Sequence, residues 1–339
     1  MNNENFRLMT HVAPDLIEQL NLRFRILNEI ETHAPIGRRA LALSISESER
    51  IVRREVDYLA TLQLVRIEPK GIYLEQSATD IISRMDEFLS PLSENSRLSN
   101  ALTEKYDIER FYVVSGDADT DEETKRHLGK TTARLMNDIL FNGAVISVTG
   151  GSTMASVSDS LQPFAGDLLF VPARGGLGES NEYQANSIVS ALAFATGGNH
   201  RLLHAPDYLS ASTLDSLVNE PDVKSIIKLN EQSDFVIHGI GEAYTMAKRR
   251  HTPVKEVELL RSSGAVAEAF GFYFDKNGNV VHRINTVGIH LDSLADKKKV
   301  FAVAGGQSKQ EAIHTYLKIA PNNTVLITDE SVGEYLLNQ

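Results

Sequence analysis

Ala144-Val-Ile-Ser-Val-Thr-Gly-Gly-Ser-Thr153 joins an apolar, β-prone run to a glycine turn, and a helical pattern follows from Met154 to Leu161. This order of strand, turn and helix recurs through the second part of the chain. Strands are predicted at residues 110–115, 144–149, 167–172, 201–205, 234–239, 269–274, 300–304 and 324–328. Helical patterns lie at residues 130–141, 154–161, 183–195 and 309–319. Strands that alternate with helices predict an α/β domain with a mainly parallel, helix-covered sheet.

The ends of the predicted strands carry residues that suit an anion. In an open parallel sheet, ligands bind beyond the carboxyl ends of the strands, where helix N-termini offer free N–H groups. The residues of this kind are Gly150, Gly151, Ser152, Thr153, Arg174 and Lys309. Lys309 follows Gly305-Gly306 in the first turn of a predicted helix, where a cation is unfavourable unless an anion is bound. These strand ends therefore predict phosphate binding.

A cationic run and a carboxylate extend this set. Lys248-Arg249-Arg250 follows the strand that ends at Gly239, and it is as compatible with a solvated helix face as with a phosphate site. Glu268 lies inside an apolar run, where it can act as a general base or accept hydrogen bonds from sugar hydroxyls. Several cations around one sheet edge indicate a ligand with more than one phosphate. The GxxxxGK[ST] and GxGxxG spacings of nucleotide sites are absent.

The first part of the chain has a different pattern. Helices are predicted at residues 15–30 and 36–43, and a third begins at Ser46-Glu-Ser-Glu49, a capping box, and continues to about Leu62. Two short β-prone runs then flank the turn Glu68-Pro-Lys-Gly71. Three helices followed by a hairpin are the order of a winged helix-turn-helix domain.

The third helix is expected to bind DNA. Val52, Val56 and Leu59 fall on one face, and the opposite face carries Arg50, Arg53, Arg54 and Asp57. Residues 20–72 hold 9 Lys+Arg against 7 Asp+Glu, a charge of +2, so the rest of a chain of net charge -11 carries -13. We expect base and phosphate contacts from the third helix and phosphate contacts from the second helix and the wing. The predicted DNA-binding residues are Arg38, Arg39, Ser48, Arg50, Arg53, Arg54 and Lys70. A mixed-charge surface helix with an Arg53–Asp57 pair is the alternative.

These patterns divide the chain into three parts. Residues 1–76 are predicted as the winged-helix domain, residues 77–105 as a linker helix and residues 106–339 as the larger α/β domain. On the linker helix, Ile81, Met85, Phe88 and Leu92 line one side. That side is either a dimerisation seam or the face that packs on the second domain.

Composition excludes several classes of protein. The 339 residues include no Cys, so disulfides, thiol nucleophiles and iron–sulfur clusters are excluded. The 10 His show no ligand spacing, so no metal site is expected. Without a run of about 18 apolar residues or a basic leader, we expect a cytoplasmic protein with no membrane segment.

A series of collinear motifs carries a family resemblance. They are Pro35-Ile-Gly-Arg-Arg-Ala-Leu-Ala-Leu43, Thr149-Gly-Gly-Ser-Thr153, Val171-Pro-Ala-Arg-Gly-Gly-Leu-Gly178, Gln184-Ala-Asn186, His238-Gly-Ile-Gly-Glu-Ala243, Met246-Ala-Lys-Arg-Arg250, Glu268-Ala-Phe-Gly271, Ala302-Val-Ala-Gly-Gly306 and Leu326-Ile-Thr-Asp-Glu330. Together they resemble the SorC family of sugar-responsive bacterial regulators, and more narrowly its repressors of glycolytic operons. One departure is the turn Leu43-Ser-Ile-Ser46, which lacks the glycine common in helix-turn-helix proteins.

The resemblance implies a Rossmann-like sugar-phosphate sensor shaped like ribose-phosphate isomerases and glucosamine-phosphate deaminases. Its effector would be fructose 1,6-bisphosphate, with no cofactor, and binding would release a homo-oligomer, a dimer or a tetramer, from double-stranded operator DNA. One phosphate would lie against Gly151, Ser152, Thr153 and Lys309. The other would meet Arg174 and either Arg249 or Arg250, with Gln184 and Glu268 on the sugar hydroxyls.

Two alternatives remain open from the sequence. The same sheet could belong to a sugar-phosphate isomerase or deaminase that uses Glu268 as its base. Equally, the regulator could respond to a different phosphorylated or unphosphorylated sugar.

Overall fold

The computed structural model describes residues 12–45, 47–79, 81–82, 94–176 and 181–339. The chain divides into two compact units, Met1–Glu94 and Asn95–Gln339. Each unit has its own apolar core.

The first unit consists of three helices and a hairpin, as predicted. The helices are α1 (Pro14–His33), α2 (Arg38–Ser44) and α3 (Glu49–Thr61), and the antiparallel strands are β1 (Val65–Glu68) and β2 (Gly71–Leu74). The core is built from apolar residues at helical spacing on α1 and α3, among them Ile26, Ile30, Val52, Val56 and Leu59. The hydrophobic pattern therefore fixes which side of α3 is buried and which side is exposed.

Helix α3 begins later than the predicted capping box implies. Ser46 lies outside the described residues, and the N-cap is Ser48, whose Oγ accepts a hydrogen bond from the Ile51 N–H at 3.3 Å. Before α3, position 45 needs no glycine, because Ile45 has φ -92° and ψ 6°, a conformation open to ordinary residues. The Ile45 side chain is buried in the core, and its carbonyl accepts a hydrogen bond from Arg25 Nη2.

The second unit is larger and alternates strands with helices. In chain order its elements are α4 (Glu94–Lys105), β3 (Arg110–Val114), α5 (Glu122–Asn137), β4 (Ala144–Val148), α6 (Ser152–Ser158), β5 (Leu168–Pro172), α7 (Ala185–Thr196), β6 (Asn199–His200), α8 (Ala211–Leu217), α9 (Pro221–Glu231), β7 (Phe235–His238), β8 (Gly241–Glu242), α10 (Ala243–Arg249), α11 (Val254–Ser262), β9 (Ala265–Ala269), β10 (Phe272–Asp275), β11 (Val280–Arg283), β12 (Lys299–Val303), α12 (Gln310–Leu317), β13 (Thr324–Asp329) and α13 (Glu330–Leu337). Glu94, the first residue of α4, falls in the first unit.

The central sheet of this unit has seven strands in the order β3-β13-β12-β7-β4-β5-β6, and every neighbouring pair is parallel. From β4 the chain continues outward through β5 and β6, whereas β7, β12 and β13 lie on the other side. The gap between the ends of β4 and β7 is therefore the topological switch point of the sheet. Open α/β sheets bind ligands at such a point.

A second, antiparallel sheet was not predicted. Its order is β11-β10-β9-β8, and β9 and β10 form a hairpin through Phe270 and Gly271, which have φ of 54° and 84°. The predicted strand at residues 269–274 is wrong because it crosses this turn, where an apolar Phe occupies a position usually taken by Asn or Gly. The predicted strand at 201–205 is also wrong, since β6 ends at His200.

Helix α4 belongs to the larger unit rather than to a linker. Ser99 Oγ accepts a hydrogen bond from the Val113 N–H and Thr103 Oγ1 accepts one from the Phe111 N–H, both at 3.0 Å. Leu102 between them is fully buried. Residues 95–105 therefore cover the edge strand β3. Met85, Phe88 and Leu92 of the predicted linker helix lie outside the described residues.

Candidate ligand pocket and DNA-binding surface

A cavity of about 1010 Å³, part of it open to solvent, lies at the switch point of the central sheet. It is lined by the turns after β4, β5 and β7 and by the residues that precede α12. All ten residues predicted to bind the ligand line it: Gly150, Gly151, Ser152, Thr153, Arg174, Gln184, Arg249, Arg250, Glu268 and Lys309. The structure thus gathers these side chains around one space, and ligand binding by them remains a prediction.

The turn after β4 presents N–H and hydroxyl groups to the cavity. The first helical hydrogen bond of α6 runs from the Ala155 N–H to the Gly151 carbonyl at 3.0 Å, so the N–H groups of Ser152 and Thr153 precede the helical ladder. The Gly151 N–H donates to the Tyr183 carbonyl at 2.9 Å. A Cβ on Gly150 would lie 2.7 Å from the same oxygen, so only glycine fits there. This turn is therefore packed into position before any ligand binds.

A buried ring of ion pairs forms another part of the wall. Arg174 donates from Nε to Asp207 Oδ1 at 2.6 Å and from Nη1 to Glu268 Oε1 at 2.9 Å. Arg250 donates from Nε to Asp207 Oδ2 at 2.7 Å, and its Nη2 lies 2.9 Å from Glu268 Oε1. The four side chains are at most 7% exposed. Two cations and two anions give this ring no net charge.

The ring shows which of Arg249 and Arg250 points inward, and it changes the expectation for Arg174. Arg250 points inward and is paired on both sides, whereas Arg249 is exposed and still lines the cavity. Arg174 was expected to be available for a phosphate, but carboxylates already occupy two of its nitrogens, and of the three only Nη2 is buried without a hydrogen-bond partner in the described chain. Asp207 was missed, because nothing in its local sequence indicates that it lies between two distant arginines.

Glu268 is held as an anion. Burial alone would raise the pKa of its carboxyl, but Arg250 and Arg174 lower the pKa below its usual value, and the Gly271 N–H donates to Oε1 at 2.6 Å. A carboxylate stabilised in this way is a weak base, whereas an efficient general base needs a pKa near the working pH. Glu268 is thus better suited to accepting hydrogen bonds than to abstracting protons.

The Gly305-Gly306 turn differs from the anion-binding turn that the sequence predicts. Its N–H groups do not face an open anion site: Gly306 donates to Asp329 Oδ2 at 2.6 Å, Gln307 to Asp117 Oδ1 at 3.3 Å and Ser308 to Asp119 Oδ2 at 2.6 Å. The cavity is therefore reached here by the side chain of Lys309, which occupies the N-cap position of α12 rather than its first turn.

His238 packs behind the turn after β7, which lines the cavity. It is fully buried between Tyr316, whose OH lies 2.9 Å from Nε2, and Phe270, whose ring centroid lies 4.5 Å away. Burial lowers the pKa of His238 to about 4, so the ring is neutral at physiological pH. Its Nδ1 lies 3.0 Å from the Gly239 carbonyl and holds the turn after β7. The sequence places His238 in a motif, but gives no sign of this role.

The predicted DNA-binding face of α3 is exposed. Arg50, Arg53 and Arg54 all lie on the side opposite the core. The alternative pair of Arg53 with Asp57 does not form, because Asp57 Oδ1 instead accepts from Arg38 Nη2 at 2.8 Å. The other predicted contacts, Arg39, Ser48 and Lys70, are also exposed.

The buried carboxylate of Glu55 holds Arg54 beside this face. The sequence did not indicate this role. Glu55 is 1% exposed and accepts from Arg23 Nε and from Arg54 Nε, both at 2.8 Å. Burial alone would raise the pKa of Glu55, but these two hydrogen bonds lower it below its usual value. Arg54 is thereby fixed at the edge of the exposed face, and Arg23 also stacks on the Tyr58 ring.

Within the described ranges there is no group of three or more His, Asp or Glu side chains placed to hold a metal ion. The same part of the chain contains no helix long and apolar enough to cross a membrane.

Comparison with known proteins identifies both units. The family model described as "CggR N-terminal DNA binding domain" matches residues 20–89, and the model described as "Putative sugar-binding domain" matches residues 90–338. The chain is 38% identical over 337 residues to the central glycolytic genes regulator of Bacillus subtilis (strain 168), covering 99% of both chains. It is 39% identical over 329 residues to the protein of that name from Priestia megaterium, covering 96% of both.

Solved structures agree with these matches. "The putative SorC family transcriptional regulator from Enterococcus faecalis" is 40% identical, has a TM-score of 0.67, and covers 71% of this chain and 99% of that chain. The full-length sorbitol operon regulator SorC from Klebsiella pneumoniae is 19% identical and shares the fold, with a TM-score of 0.68 over 99% of this chain and 100% of that chain.

A DNA-binding domain followed by a sugar-binding domain defines a transcriptional regulator that responds to a sugar. The chain belongs to the SorC family of such regulators. Its relatives are named as regulators, which indicates a regulator rather than an enzyme.

Proposed function

We propose that this protein is a repressor of glycolytic genes whose binding to operator DNA is relieved by fructose 1,6-bisphosphate. The observation that carries the proposal is the cavity at the switch point, in which Ser152 and Thr153 share one space with Lys309 and Arg249. Hydroxyl groups, free N–H groups and two cations are the donors that a phosphate prefers. The relatives named as glycolytic regulators support the choice of genes.

The phosphate with the stronger contacts would lie at the Lys309 end of the cavity. There Ser152 and Thr153 supply donors, Gly151 lies against the phosphate as part of the same turn, and Lys309 and Arg249 supply positive charge. The ring of Arg174, Arg250, Asp207 and Glu268 is neutral, so the second phosphate would depend on the remaining donor of Arg174. Gln184 and Glu268 would bind the sugar hydroxyls.

On DNA, α3 would lie in the major groove with Ser48, Arg50, Arg53 and Arg54 towards bases and phosphates. Arg38, Arg39 and Lys70 would contact phosphates. A homo-oligomer, a dimer or a tetramer acting in the cytoplasm, would pair these domains on a repeated or palindromic operator. Effector binding would weaken this complex by the 1 to 3 kcal/mol, roughly, that is typical of allosteric coupling.

The test is a gel-shift titration of the full chain, at stated salt, on DNA that the protein selects from a random pool. Arg53→Ala should abolish specific binding, whereas Arg66→Ala is the matched control, because Arg66 is an exposed arginine of the wing that already pairs with Glu68. Lys309→Ala should keep DNA binding and lose release by fructose 1,6-bisphosphate. Equal loss in the Arg53 and Arg66 variants would contradict the assignment of α3.

The neutral ring also favours a second candidate, a repressor that responds to a sugar monophosphate. Thermal shifts of the full chain with fructose 1,6-bisphosphate and fructose 6-phosphate separate the two. Equal shifts would contradict a two-phosphate site. Product formation from sugar phosphates by the purified protein would instead support an isomerase or deaminase.

A further inference from the structure

Residues Gly306–Ser308, which precede Lys309, form a turn that is held by three carboxylates. Successive N–H groups of this turn donate to Asp329, Asp117 and Asp119. Asp329 Oδ2 also accepts from the Ala118 N–H at 2.8 Å, so the loop after β3 and the turn before α12 are joined at several points. The conformation of the turn is thus set by the loop after β3, almost 190 residues away in sequence.

Asp119 bonds both the backbone and the side chain of Ser308. Its Oδ2 accepts from the Ser308 N–H at 2.6 Å and its Oδ1 from the Ser308 hydroxyl at 3.1 Å. A Cβ on Gly306, which has φ 104°, would lie 2.4 Å from Asp119 Oδ1. Only glycine therefore allows both this backbone conformation and the approach of the carboxylate.

We propose that Asp119 is a positioning residue of the effector site: it holds the Gly306–Ser308 turn, and with that turn and its negative charge it supports the Lys309 ammonium towards a phosphate in the cavity. This inference rests on the proposed function, since it assumes that Lys309 binds the effector. Asp119 itself lies outside the residues that line the cavity.

The charges around Lys309 support this role. Burial lowers the pKa of the Lys309 ammonium below its usual value, and the positive charges of Arg249 and Lys125 act in the same direction. Asp119 and Asp329 act against them, and Asp119 has the larger effect of the two. Asp329 is fully buried and committed to backbone N–H groups. Asp119 is therefore the nearby charge that does most to keep Lys309 protonated.

The experiment uses the full chain and three variants. Asp119→Asn removes the charge but keeps an oxygen that can accept from the Ser308 N–H, and Asp119→Glu restores the charge. Asp117→Asn is the matched control, because Asp117 bonds the same turn but is not among the largest influences on the pKa of Lys309. Asp119 lies in an exposed loop, so these substitutions leave the core intact.

Two readouts are needed. Without ligand, acetylation of Lys309 followed by mass spectrometry across pH reports the titration of its ammonium. The midpoint should fall by about one pH unit in Asp119→Asn, stay near the wild-type value in Asp117→Asn, and recover at least in part in Asp119→Glu. Calorimetric titration with fructose 1,6-bisphosphate should show about tenfold weaker binding in Asp119→Asn, with the loss growing as the pH rises.

An unchanged midpoint of Lys309 in Asp119→Asn, or equal shifts in the Asp117 and Asp119 variants, would overturn the inference. So would wild-type affinity for the bisphosphate in Asp119→Asn. If the wild-type chain binds no fructose 1,6-bisphosphate, the proposed function fails instead, and the acetylation profile still decides whether Asp119 controls the charge of Lys309.

Discussion

Replacement of Asp207 by Asn tests whether the ring of ion pairs holds the larger unit together. Asp207 is 2% exposed and accepts one guanidinium hydrogen bond on each oxygen, from Arg174 at 2.6 Å and from Arg250 at 2.7 Å. In Asp207→Asn the amide oxygen can accept one of these bonds, while the amide nitrogen opposes the other donor. The ring is then left with one excess positive charge.

Removing one partner of a buried ion pair costs about 3–5 kcal/mol, because a buried charge loses its compensation. Since the amide keeps one hydrogen bond, we expect the lower end, a loss of about 3 kcal/mol in the free energy of unfolding of the larger unit. For a unit of this size, that loss lowers Tm by roughly 6–12 °C.

Differential scanning calorimetry of the full chain measures this change, because it can separate the transitions of the two units. Asp215→Asn is the matched control: Asp215 is exposed on α8, and its loss should cost less than about 0.5 kcal/mol. A loss below about 1 kcal/mol for Asp207→Asn, or a loss equal to that of the control, would refute the argument that the ring is a closed and interdependent network.

Two further predictions concern single substitutions. Glu55→Gln should flatten the pH dependence of stability in the first unit. The pKa of Glu55 is lowered from 4.5 by Arg23 and Arg54. The Glu55 carboxylate therefore contributes to the free energy of unfolding above pH 4.5, and this contribution is lost as the pH falls through the lower pKa of the folded state. Urea unfolding at pH 7 and pH 3.5 checks this, and a parallel pH dependence in variant and wild type would contradict it. Gly150→Ala should weaken effector binding about tenfold, because the added Cβ would lie 2.7 Å from the Tyr183 carbonyl and displace the turn; calorimetry with unchanged affinity would show that the turn can adjust.

Local pattern predicted much of this architecture. The exposed and buried faces of α3 follow from residues three and four apart, and the turns after β4 and β7 meet because parallel strands end at one edge of a sheet. These rules need no knowledge of distant contacts. They predicted the winged helix-turn-helix order and most of the residues around the cavity, whereas the role of Gln184 was implied by the family resemblance.

What the sequence could not predict depends on distant partners. Asp207 and Glu55 each lie between two arginines, and the N–H groups before Lys309 are taken by aspartates from another loop. The hairpin at Phe270 was hidden because residues 269–274 contain no polar side chain that would indicate a turn. In each case the local chain has an ordinary composition, and tertiary contacts determine the outcome.

The central sheet has no long open edge. At one side, Ser99 and Thr103 of α4 occupy the outward N–H groups of β3, and at the other, β6 has only two residues. Strand-to-strand addition, the usual route by which sheets aggregate or join, is thereby disfavoured at both sides. The proposed homo-oligomer would therefore form through side-chain surfaces rather than by extension of this sheet.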